Sequence, residues 1–561
     1  MAVFAETPGA SYQITGVVIN SVTGNPVPHC HLYASLTLQN RGPGRGPAGR
    51  RQPTSNGFDA DEHGRFSIPL PSAGAWHLTA SAPGYVSQAF DEHGNYSSAV
   101  VLTTSAPTID LQFRLPPQAR ISGSVLDEAG ESVRGATVEL RGQAIPGPGR
   151  VDQAFASRFF TQTDDRGAYE FANLPPGSYQ LAVQAKPWYA NLSPQRQFGG
   201  GGLAANTTSP AREPSFDVTY QLTWYPGVED PSEAEPIVLS AGEDRPADFH
   251  LVPIPSLHLQ IIPPSVSERA DTRPMPSFPM IERIDSNGGN IGFSQTTAIT
   301  GPQGQIDVSG LTPGTYRVRL QGQNQDSRST IVELTQGSSR VVDFSAAAST
   351  MANVTIHFEG NGDDERPMLV EFTDSTSGQR YFPSGPGRPM PLNSRRGPQA
   401  QPPREITLQV PPGRYEVSVQ DRGDSYLTGI TAQGAEVAGR FVTVRAGDAT
   451  CTLHMATGHA TVNGIVKLGD KPSIGAAVLL VPAGLDDPGS FTILSRDQSN
   501  TDGSFDFNNV VPGQYILIGI DHGWHVNWSD PSTLRNYLTQ GVPMDIHAGQ
   551  TIKQNIDAQA P

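Results

Sequence analysis

The chain has 561 residues and a formal net charge of −16; only 16% of its residues are charged, while Gly and Pro contribute 59 and 50. This length exceeds one ordinary domain and predicts about three to five. With only four lysines in the sequence, the negative charge excludes nucleic acid and anionic membranes as main partners, because both are bound through clustered Lys and Arg.

The chain begins with a short segment that is typical of the end of a secretory signal peptide. Val3 and Ala5 are small or compact residues of the kind that a signal peptidase reads, and Glu6 follows them. We expect residues 1–10 to be a residual export segment or a disordered N-terminus, with Met1 not the true start. The protein is therefore expected to be extracellular, at the cell surface or periplasmic.

One unit recurs five times along the chain. In four copies the second glycine follows the first by ten residues, and in the fourth copy Arg404 replaces the first glycine. The copies are GRFSIPLPSAGAWHLTA (64–80), GAYEFANLPPGSYQLAV (167–183), GQIDVSGLTPGTYRVRL (304–320), REITLQVPPGRYEVSV (404–419) and GSFDFNNVVPGQYILIG (503–519). Each pairs two strands of alternating polarity around a Pro- and Gly-containing turn, which predicts a β-hairpin in an antiparallel sheet with one buried side.

Further alternating strands precede and follow every copy, for example at 14–27, 121–140 and 461–481. About seven short strands per hundred residues are typical of a small β-sandwich. Pro or small residues separate the units near 117, 254, 348 and 457. We therefore predict five sandwich domains, at residues 11–117, 118–254, 255–348, 349–457 and 458–561.

The opening strand, the D-x-x-G-x-[FY] turn, the PG-x-Y hairpin and a following Gly84-Tyr85 together resemble carboxypeptidase regulatory-like domains. These are transthyretin-like β-sandwiches related to the Cna B-type repeats of bacterial surface proteins. The first, second and fifth copies resemble the family well, and the third and fourth are divergent. The resemblance implies an all-β fold, a tandem array of Ig-like or transthyretin-like (prealbumin-like) sandwiches. Nearest-neighbour stacking would make this array an elongated, semi-rigid rod.

Motifs of catalysis are missing from the sequence. It holds no HExxH, GxSxG or CxxC pattern, and no Walker or GxGxxG loop between a strand and a helix. Cys30 and Cys451 lie in different repeats and provide no disulfide framework. We predict that the protein is not an enzyme and carries no cofactor.

Three clusters contain histidine: Asp61-Glu62-His63-Gly64, Asp91-Glu92-His93-Gly94 and Asp521-His522-Gly523-Trp524-His525. Each offers at most two good local ligands, whereas a metal site needs three or four that converge. We interpret the clusters as acidic turns with solvated histidines and predict no metal site, leaving open calcium binding by the Asp-rich turns.

Aromatic residues outside the repeat are the candidate ligand-binding residues. They are Trp188, Tyr189, Trp224, Tyr225, Trp524 and Trp528. Exposed aromatic rings stack on sugars, so these residues predict a glycan platform. The alternative is that the rings cap the ends of the sandwiches.

The insertions at 41–53, 195–212 and 385–404 lack apolar periodicity and are predicted to be mobile loops within repeats.

The resemblance to Cna B-type repeats suggests a Lys–Asn isopeptide bond, for which Lys467 and Asn555 occupy plausible strands. The fifth repeat contains no Glu to manage the protons, which argues against this bond.

The sequence thus favours a non-catalytic, exported, multi-domain binding or scaffold protein of the cell surface or periplasm. It would contact proteins, in adhesion or assembly, or carbohydrates through the loops at the sandwich ends. No apolar run is long enough to insert in a membrane. The alternatives are an accessory module of a peptidase or outer-membrane transport system, as the family resemblance suggests, and a carbohydrate-processing or other hydrolase with an unrecognised site.

Overall fold

The computed structural model of the protein describes most of each predicted domain. The segment 1–10 and the three insertions at 41–53, 195–212 and 385–404 lie outside the described residues. The described residues are 12–36, 57–94, 96–142, 158–190, 217–263, 278–284, 290–293, 297–300, 305–321, 327–336, 340–344, 352–360, 369–375, 380–382, 405–420, 424–445, 447–485, 490–526, 528 and 530–561.

The first domain consists of two facing sheets. Its strands are β1 (Tyr12–Asn20), β2 (His31–Leu36), β3 (Phe58–Asp59), β4 (Arg65–Leu70), β5 (Gly74–Ser81), β6 (Gln88–Ala89), β7 (Val100–Leu102) and β8 (Thr108–Leu115). One sheet has the order β4-β1-β8, and the other β3-β2-β5-β6, with β7 also on β5. Alternate residues of β4, namely Phe66, Ile68 and Leu70, are buried between the sheets, as period-two alternation requires.

The second domain repeats this plan. Its strands are β9 (Ala119–Leu126), β10 (Thr137–Gly142), β11 (Arg158–Gln162), β12 (Ala168–Leu174), β13 (Gly177–Gln184), β14 (Val218–Tyr220), β15 (Thr223–Trp224), β16 (Ile237–Leu239), β17 (Asp244–Pro246) and β18 (Phe249–His250). The sheets are β11-β10-β13-β15, with β16 on β13, and β12-β9-β17, with β18 on β9. Strand β19 (Pro253–Pro255) spans the predicted boundary at 254 and pairs with β14.

The third and fourth domains are also two-sheet sandwiches. The third contains β20 (Leu257–Ile262), β21 (Phe278–Ile284), β22 (Asn290–Phe293), β23 (Thr297–Thr300), β24 (Ile306–Leu311), β25 (Gly314–Gln321), β26 (Ser327–Leu334) and β27 (Arg340–Asp343). The fourth contains β28 (Ala352–Gly360), β29 (Leu369–Asp374), β30 (Arg380–Tyr381), β31 (Glu405–Val410), β32 (Gly413–Gln420), β33 (Ser425–Gln433), β34 (Ala435–Ala438), β35 (Phe441–Val444) and β36 (Ala449–Thr457). Their sheets are β23-β24-β20-β27 and β22-β21-β25-β26, then β31-β28-β36-β33 and β30-β29-β32-β35-β34.

The fifth domain adds a helix to the sandwich. It contains β37 (Ala460–Leu468), β38 (Lys471–Pro472), β39 (Ala477–Pro482), β40 (Ser495–Gln498), β41 (Ser504–Val510), β42 (Gly513–Ile520), α1 (Pro531–Leu538), β43 (Val542–Ile546), β44 (Thr551–Lys553) and β45 (Ile556–Gln559). Strand β45 pairs with both β37 and β42 and so joins the two layers. Helix α1 begins with Pro531 after the N-cap Asp530, whose carboxylate accepts from the Ser532 and Thr533 N–H groups.

The five recurring units are not hairpins, which corrects the sequence prediction. In every copy the two strands lie on either side of the turn but pair with different partners: β4 with β1 but β5 with β2, for example. The corresponding strand pairs are β4 and β5, β12 and β13, β24 and β25, β31 and β32, and β41 and β42. The chain therefore crosses from one sheet to the other at the turn, and the apolar faces of both strands point into the same core.

The crossing turn is closed by one hydrogen bond that recurs in all five copies. In each copy an aromatic residue lies two positions after the turn glycine. Its side chain donates to the backbone carbonyl of the residue four positions before that aromatic residue. The donor–acceptor pairs are Trp76 Nε1 to Ser72 O (3.3 Å), Tyr179 Oη to Pro175 O (2.7 Å), Tyr316 Oη to Thr312 O (3.0 Å), Tyr415 Oη to Pro411 O (2.5 Å) and Tyr515 Oη to Val511 O (2.7 Å). We call this arrangement the corner; it accounts for the aromatic residue in the PG-x-Y pattern.

The first and last strands of each domain pair in parallel, whereas the sequence analysis expected antiparallel sheets. Strand β1 pairs with β8, β28 with β36, and β37 with β44 and β45 in this way. A glycine in the first strand permits the close approach. A Cβ on Gly16 would lie 2.1 Å from Leu111 O in β8, and a Cβ on Gly123 or Gly464 would lie 1.8 or 1.7 Å from the carbonyl oxygen of Ala247 or Gln554, between the last two short strands. No side chain tolerates these distances.

The domains do not lie in line, so the expectation of an elongated rod is wrong. Neighbouring domains contact one another: the Gln118 N–H donates to Gly84 O at the first border (3.0 Å), and Thr219 Oγ1 donates to Gly310 O at the second (3.4 Å). The third domain lies near the fourth: burial raises the pKa of Tyr381 in the fourth domain to about 12, while the charges of Arg319 and Arg317 in the third act to lower this pKa. The fifth domain returns to the first, and this contact closes the arrangement.

No helix within the described residues is long and apolar enough to cross a membrane.

Removing one corner hydroxyl is expected to destabilise the protein without changing its fold. Tyr515→Phe leaves the Val511 carbonyl without its partner, and we expect a loss of about 1 kcal/mol in unfolding free energy. Urea unfolding and hydrogen exchange at the β41–β42 turn measure this loss. Tyr33→Phe, which removes an exposed hydroxyl, is the control; equal effects of the two substitutions would contradict a role for the corner.

Candidate functional site

The six aromatic candidates lie at three separate places, and they do not form one platform. Trp224 is fully buried, with 0% of its surface exposed. It packs with Ala182 and Leu222, and the Arg141 guanidinium lies 4.7 Å from its ring centroid. The prediction of an exposed platform at Trp224 is wrong, because the 225–235 segment folds back over this face of the sheet and supplies Val228 and Ala234 to the cluster.

Tyr225, beside it in sequence, faces the other way. Its ring is partly buried against the core of the second domain and lies edge-on to Phe249, with 6.2 Å between ring centroids. Tyr225 therefore covers the end of the sandwich, in accord with the alternative interpretation.

Trp528 is also fully buried and is no platform. It packs with Leu534 and Tyr537 of α1 in a small second core on the outer side of β39 and β42. The sequence analysis did not predict α1, and this helix is the reason why the Trp528 ring is shielded from solvent.

Trp524 is 8% exposed and lies between the first and fifth domains. Its ring stacks on His93 (centroids 5.3 Å apart, planes at 7°) and on Tyr96 (5.4 Å), both from the first domain. Its Nε1 donates to Gly475 O at 2.8 Å. Trp524 is thus a structural contact between domains, and its predicted exposure is wrong.

Hydrogen bonds surround this aromatic stack. Buried Gln498 donates from Nε2 to Ser98 Oγ (2.9 Å) and to the Asp91 carbonyl, and its Oε1 lies 3.2 Å from His93 Nδ1. Ser98 Oγ in turn donates to Ser499 O at 2.8 Å. We call this contact the seam; it joins residues 91–94 and 96–101 of the first domain to Gly475, residues 496–501 and Trp524 of the fifth.

Backbone N–H groups also donate hydrogen bonds across the seam, to side chains and to a backbone carbonyl. The Ala99 N–H donates to Asn500 Oδ1 (2.8 Å), and the Val101 N–H donates to Thr501 Oγ1 (2.9 Å). The Thr501 N–H donates to Ala99 O at 3.0 Å. Since buried polar groups are costly unless paired, this set of matched donors and acceptors specifies one relative position of the two domains.

Two of the three histidine clusters therefore meet at the seam, in contacts that the sequence analysis did not anticipate. His93 is partly buried there, so its interpretation as a solvated histidine is wrong. Around His63 the interpretation agrees with the structure: the Asp61 carboxylate accepts from the His63 and Arg65 N–H groups, each at 2.8 Å, and these bonds hold its pKa below the ordinary value. Within the described residues, no three His, Cys, Asp or Glu side chains are placed to hold a metal ion.

Histidine–carboxylate pairs lie at two further domain borders. His258 Nε2 is 2.6 Å from Asp217 Oδ2, and its Nδ1 is 3.7 Å from Asp307 Oδ1. His459 Nδ1 is 3.2 Å from Asp424 Oδ1. Burial acts to raise the pKa of Asp424, but the His459 and Gly458 N–H groups that donate to its carboxylate hold it below the ordinary value.

The remaining two candidates, Trp188 and Tyr189, lie in the turn after β13. Trp188 is 82% exposed, and its ring is edge-on to Tyr189 with 5.7 Å between centroids. Tyr189 Oη donates to Glu128 Oε1 (2.5 Å), and Tyr220 Oη donates to Glu128 Oε2 (3.1 Å). Burial, followed by the Glu128 charge, raises the pKa of Tyr189 to about 12. This cluster is the candidate functional site, and its glycan-binding role stays a prediction.

Sequence reasoning missed Glu128 and Tyr220. Glu128 belongs to the turn after β9 and Tyr220 to β14, so both are distant from Trp188 in the chain. The only sequence feature that could have pointed to this cluster is the acidic residue Glu128 in the turn after the first strand of the second repeat. Nothing in the sequence indicated that this turn meets the turn after β13.

Neither sulfur nor isopeptide chemistry finds support at the residues considered for it. Cys30 and Cys451 are buried, and burial raises the pKa of each thiol to about 11, which makes the thiolate scarce at neutral pH. Lys467 and Asn555 are both exposed, and Asn555 Oδ1 accepts from the Ile465 N–H at 3.0 Å. The protected, acid-assisted setting that an isopeptide bond needs is therefore not formed around this pair.

Comparison with known proteins identifies the second domain. Residues 120–194 match the family of carboxypeptidase regulatory-like domains, so the chain contains such a domain, as its motifs predict. The expected all-β sandwich fold is confirmed. No curated protein matches the chain.

Several solved structures are similar to the chain at low identity. The minor pilin GBS52 of Streptococcus agalactiae is 10% identical over 46% of this chain and 100% of its own, with a TM-score of 0.20. The shaft pilin SpaA of Lactobacillus rhamnosus GG is 10% identical over 44% of this chain and 98% of its own, with a TM-score of 0.18. The Bacillus anthracis TIE protein is 10% identical over 99% of this chain and 76% of its own, with a TM-score of 0.15.

A charge placed in the seam is expected to open it. Gln498→Glu puts a carboxylate beside the Asp91 carboxylate and carbonyl, which now accept from Gln498 Nε2. Like charges and lost donors should weaken the seam by about 1–3 kcal/mol. Small-angle X-ray scattering is expected to show a larger radius of gyration at pH 8.

Gln514→Glu makes the same charge change at an exposed position of β42 and should leave the radius of gyration unaltered. Identical scattering from the Gln498→Glu variant and the unmodified protein would contradict the seam.

A second prediction concerns Asp497, next to Gln498 on β40. Burial, with a smaller effect from Asp506, raises its pKa from 3.8 to about 7. The folded state therefore favours the protonated carboxyl of Asp497. This preference contributes its full stabilisation of the fold below about pH 4, and the contribution is lost as the pH rises through about 7. Asp497→Asn should raise the melting temperature at pH 8 and change it little at pH 4.

Thermal unfolding from pH 4 to pH 8 measures this difference. Asp545→Asn, at an exposed position of β43, makes the same chemical change without burial and is the control. A melting temperature of the Asp497→Asn variant that falls with pH as steeply as that of the unmodified protein would count against the assignment.

Proposed function

We propose that the protein is a non-catalytic, exported scaffold of the cell surface or periplasm, which presents binding loops on a closed arrangement of five β-sandwich domains. Its partners are proteins or carbohydrates that meet loops at the sandwich ends. The proposal assigns no nucleic acid partner, no membrane insertion and no cofactor.

The observation that supports this proposal is that polar and aromatic residues outside the repeat form contacts between domains. His93 contacts both Gln498 and Trp524 in the seam, and His258 and His459 pair with carboxylates at other domain borders. Residues that an enzyme would use for proton transfer or metal binding here hold domains in position. An arrangement maintained by so many specific contacts suits the display of surfaces at fixed distances.

Two assays test the proposal. In the first, the full chain is immobilised and exposed to envelope proteins and to cell-wall polysaccharide from its source; we expect saturable retention of at least one. In the second, the purified chain is incubated with peptide, ester and glycoside substrates, and we expect no turnover. Hydrolysis that co-purifies with the chain and follows its concentration would contradict the proposal.

A second candidate, an accessory module of a peptidase or an outer-membrane transport system, is favoured by the match of residues 120–194 to carboxypeptidase regulatory-like domains. Crosslinking in intact envelopes, followed by identification of the crosslinked peptides, distinguishes it from a free-standing scaffold. Peptides from a peptidase or transporter would support the accessory function.

A further inference from the structure

We propose that Trp188, Tyr189, Tyr220 and Glu128 form a binding site for a neutral sugar ring at one end of the second domain. The inference rests on the proposed function, a binding protein, and names the ligand class and the site.

The indole of Trp188 is open to solvent and contacts one aromatic neighbour. Its exposed fraction of 82% is the highest among the large hydrophobic side chains that the structure describes. Tyr189 contacts it at 88° between ring planes, a T-shaped contact. A broad apolar surface that stays in water in this way is stabilised when a ligand covers it.

The tyrosines beside the indole are fixed by the carboxylate of Glu128. Both carboxylate oxygens accept a tyrosine hydroxyl, that of Tyr189 at 2.5 Å and that of Tyr220 at 3.1 Å. Each hydroxyl thus has its proton committed to Glu128, and the oxygen of the partly exposed Tyr189 keeps a lone pair that can accept from a ligand. The site combines an apolar platform with an oriented acceptor.

Three elements that end at the same edge of the sandwich build this arrangement. Glu128 follows β9, Trp188 and Tyr189 follow β13, and Tyr220 ends β14. Tyr220 is only 4% exposed and belongs to the frame, while Tyr189 is partly exposed. Because Glu128 bridges two segments, the Tyr189 hydroxyl is positioned before a ligand arrives, which lowers the entropic cost of binding.

A pyranose matches these groups. Its C–H face stacks on an indole, and one of its hydroxyl groups donates to the Tyr189 oxygen. The negative charge of Glu128, with Asp127 next to it in the chain, disfavours acidic sugars. An organic ammonium ion would also be attracted by a carboxylate and aromatic rings, but such ligands are held in cages of several aromatic faces, whereas Trp188 offers an open platform.

The test is titration of the full chain with neutral hexasaccharides (cellohexaose, maltohexaose, mannohexaose and chitohexaose) and, separately, with choline. Calorimetry and tryptophan fluorescence report binding. We expect at least one hexasaccharide to bind, with affinity falling at least tenfold in Trp188→Ala and severalfold in Tyr189→Phe. Trp188→Phe should retain part of the affinity, because a smaller aromatic platform remains.

Phe160→Ala is the matched control, since it removes another exposed aromatic ring of the same domain (57% exposed) and should leave binding unchanged. Melting temperatures confirm that each variant is folded. The proposal is overturned if no hexasaccharide binds, if choline alone binds, or if Trp188→Ala binds as well as the unmodified chain. Retention of an envelope protein together with any of these results would leave the scaffold function standing and remove only the sugar site.

Discussion

The structure depends on the crossing turn, at which consecutive strands enter opposite sheets so that both of their apolar faces share one core. The same alternation of polarity also fits a hairpin within one sheet, and the turn is what directs the second strand to the opposing layer. A corner hydrogen bond closes each of these turns. The hydroxyl of Tyr179, Tyr316, Tyr415 or Tyr515, or the indole N–H of Trp76, donates to a carbonyl at the entrance of the turn.

The parallel pairing of first and last strands completes each sandwich and sets a second constraint. Gly16, Gly123 and Gly464 stand where a Cβ would meet a backbone carbonyl in or beside the last strand. The glycine of the opening strand is therefore a packing requirement. Each domain is in this way specified by local features that repeat, while the connections between domains are made by residues that do not repeat.

Those non-repeating residues are where sequence reasoning was least accurate. Trp224, Trp524 and Trp528 resembled a binding platform, yet a returning segment, the first domain and helix α1 cover them respectively. Among the described residues, no comparable segment covers Trp188, which is 82% exposed. A tryptophan buried against a distant segment and one left in water look alike in sequence, because the segment that covers the ring is far away in the chain.

The domain type, the recurring unit and the buried face of each strand follow from the sequence, because turn glycines and period-two alternation act over a few residues. Which strands pair, the return of the fifth domain to the first, and the position of Glu128 and Tyr220 beside Tyr189 follow only from the folded chain. These features join residues up to about 400 positions apart, as Ser98 and Gln498 show. They arise from matched hydrogen bonds and shapes across surfaces, and no periodicity in a single segment encodes them.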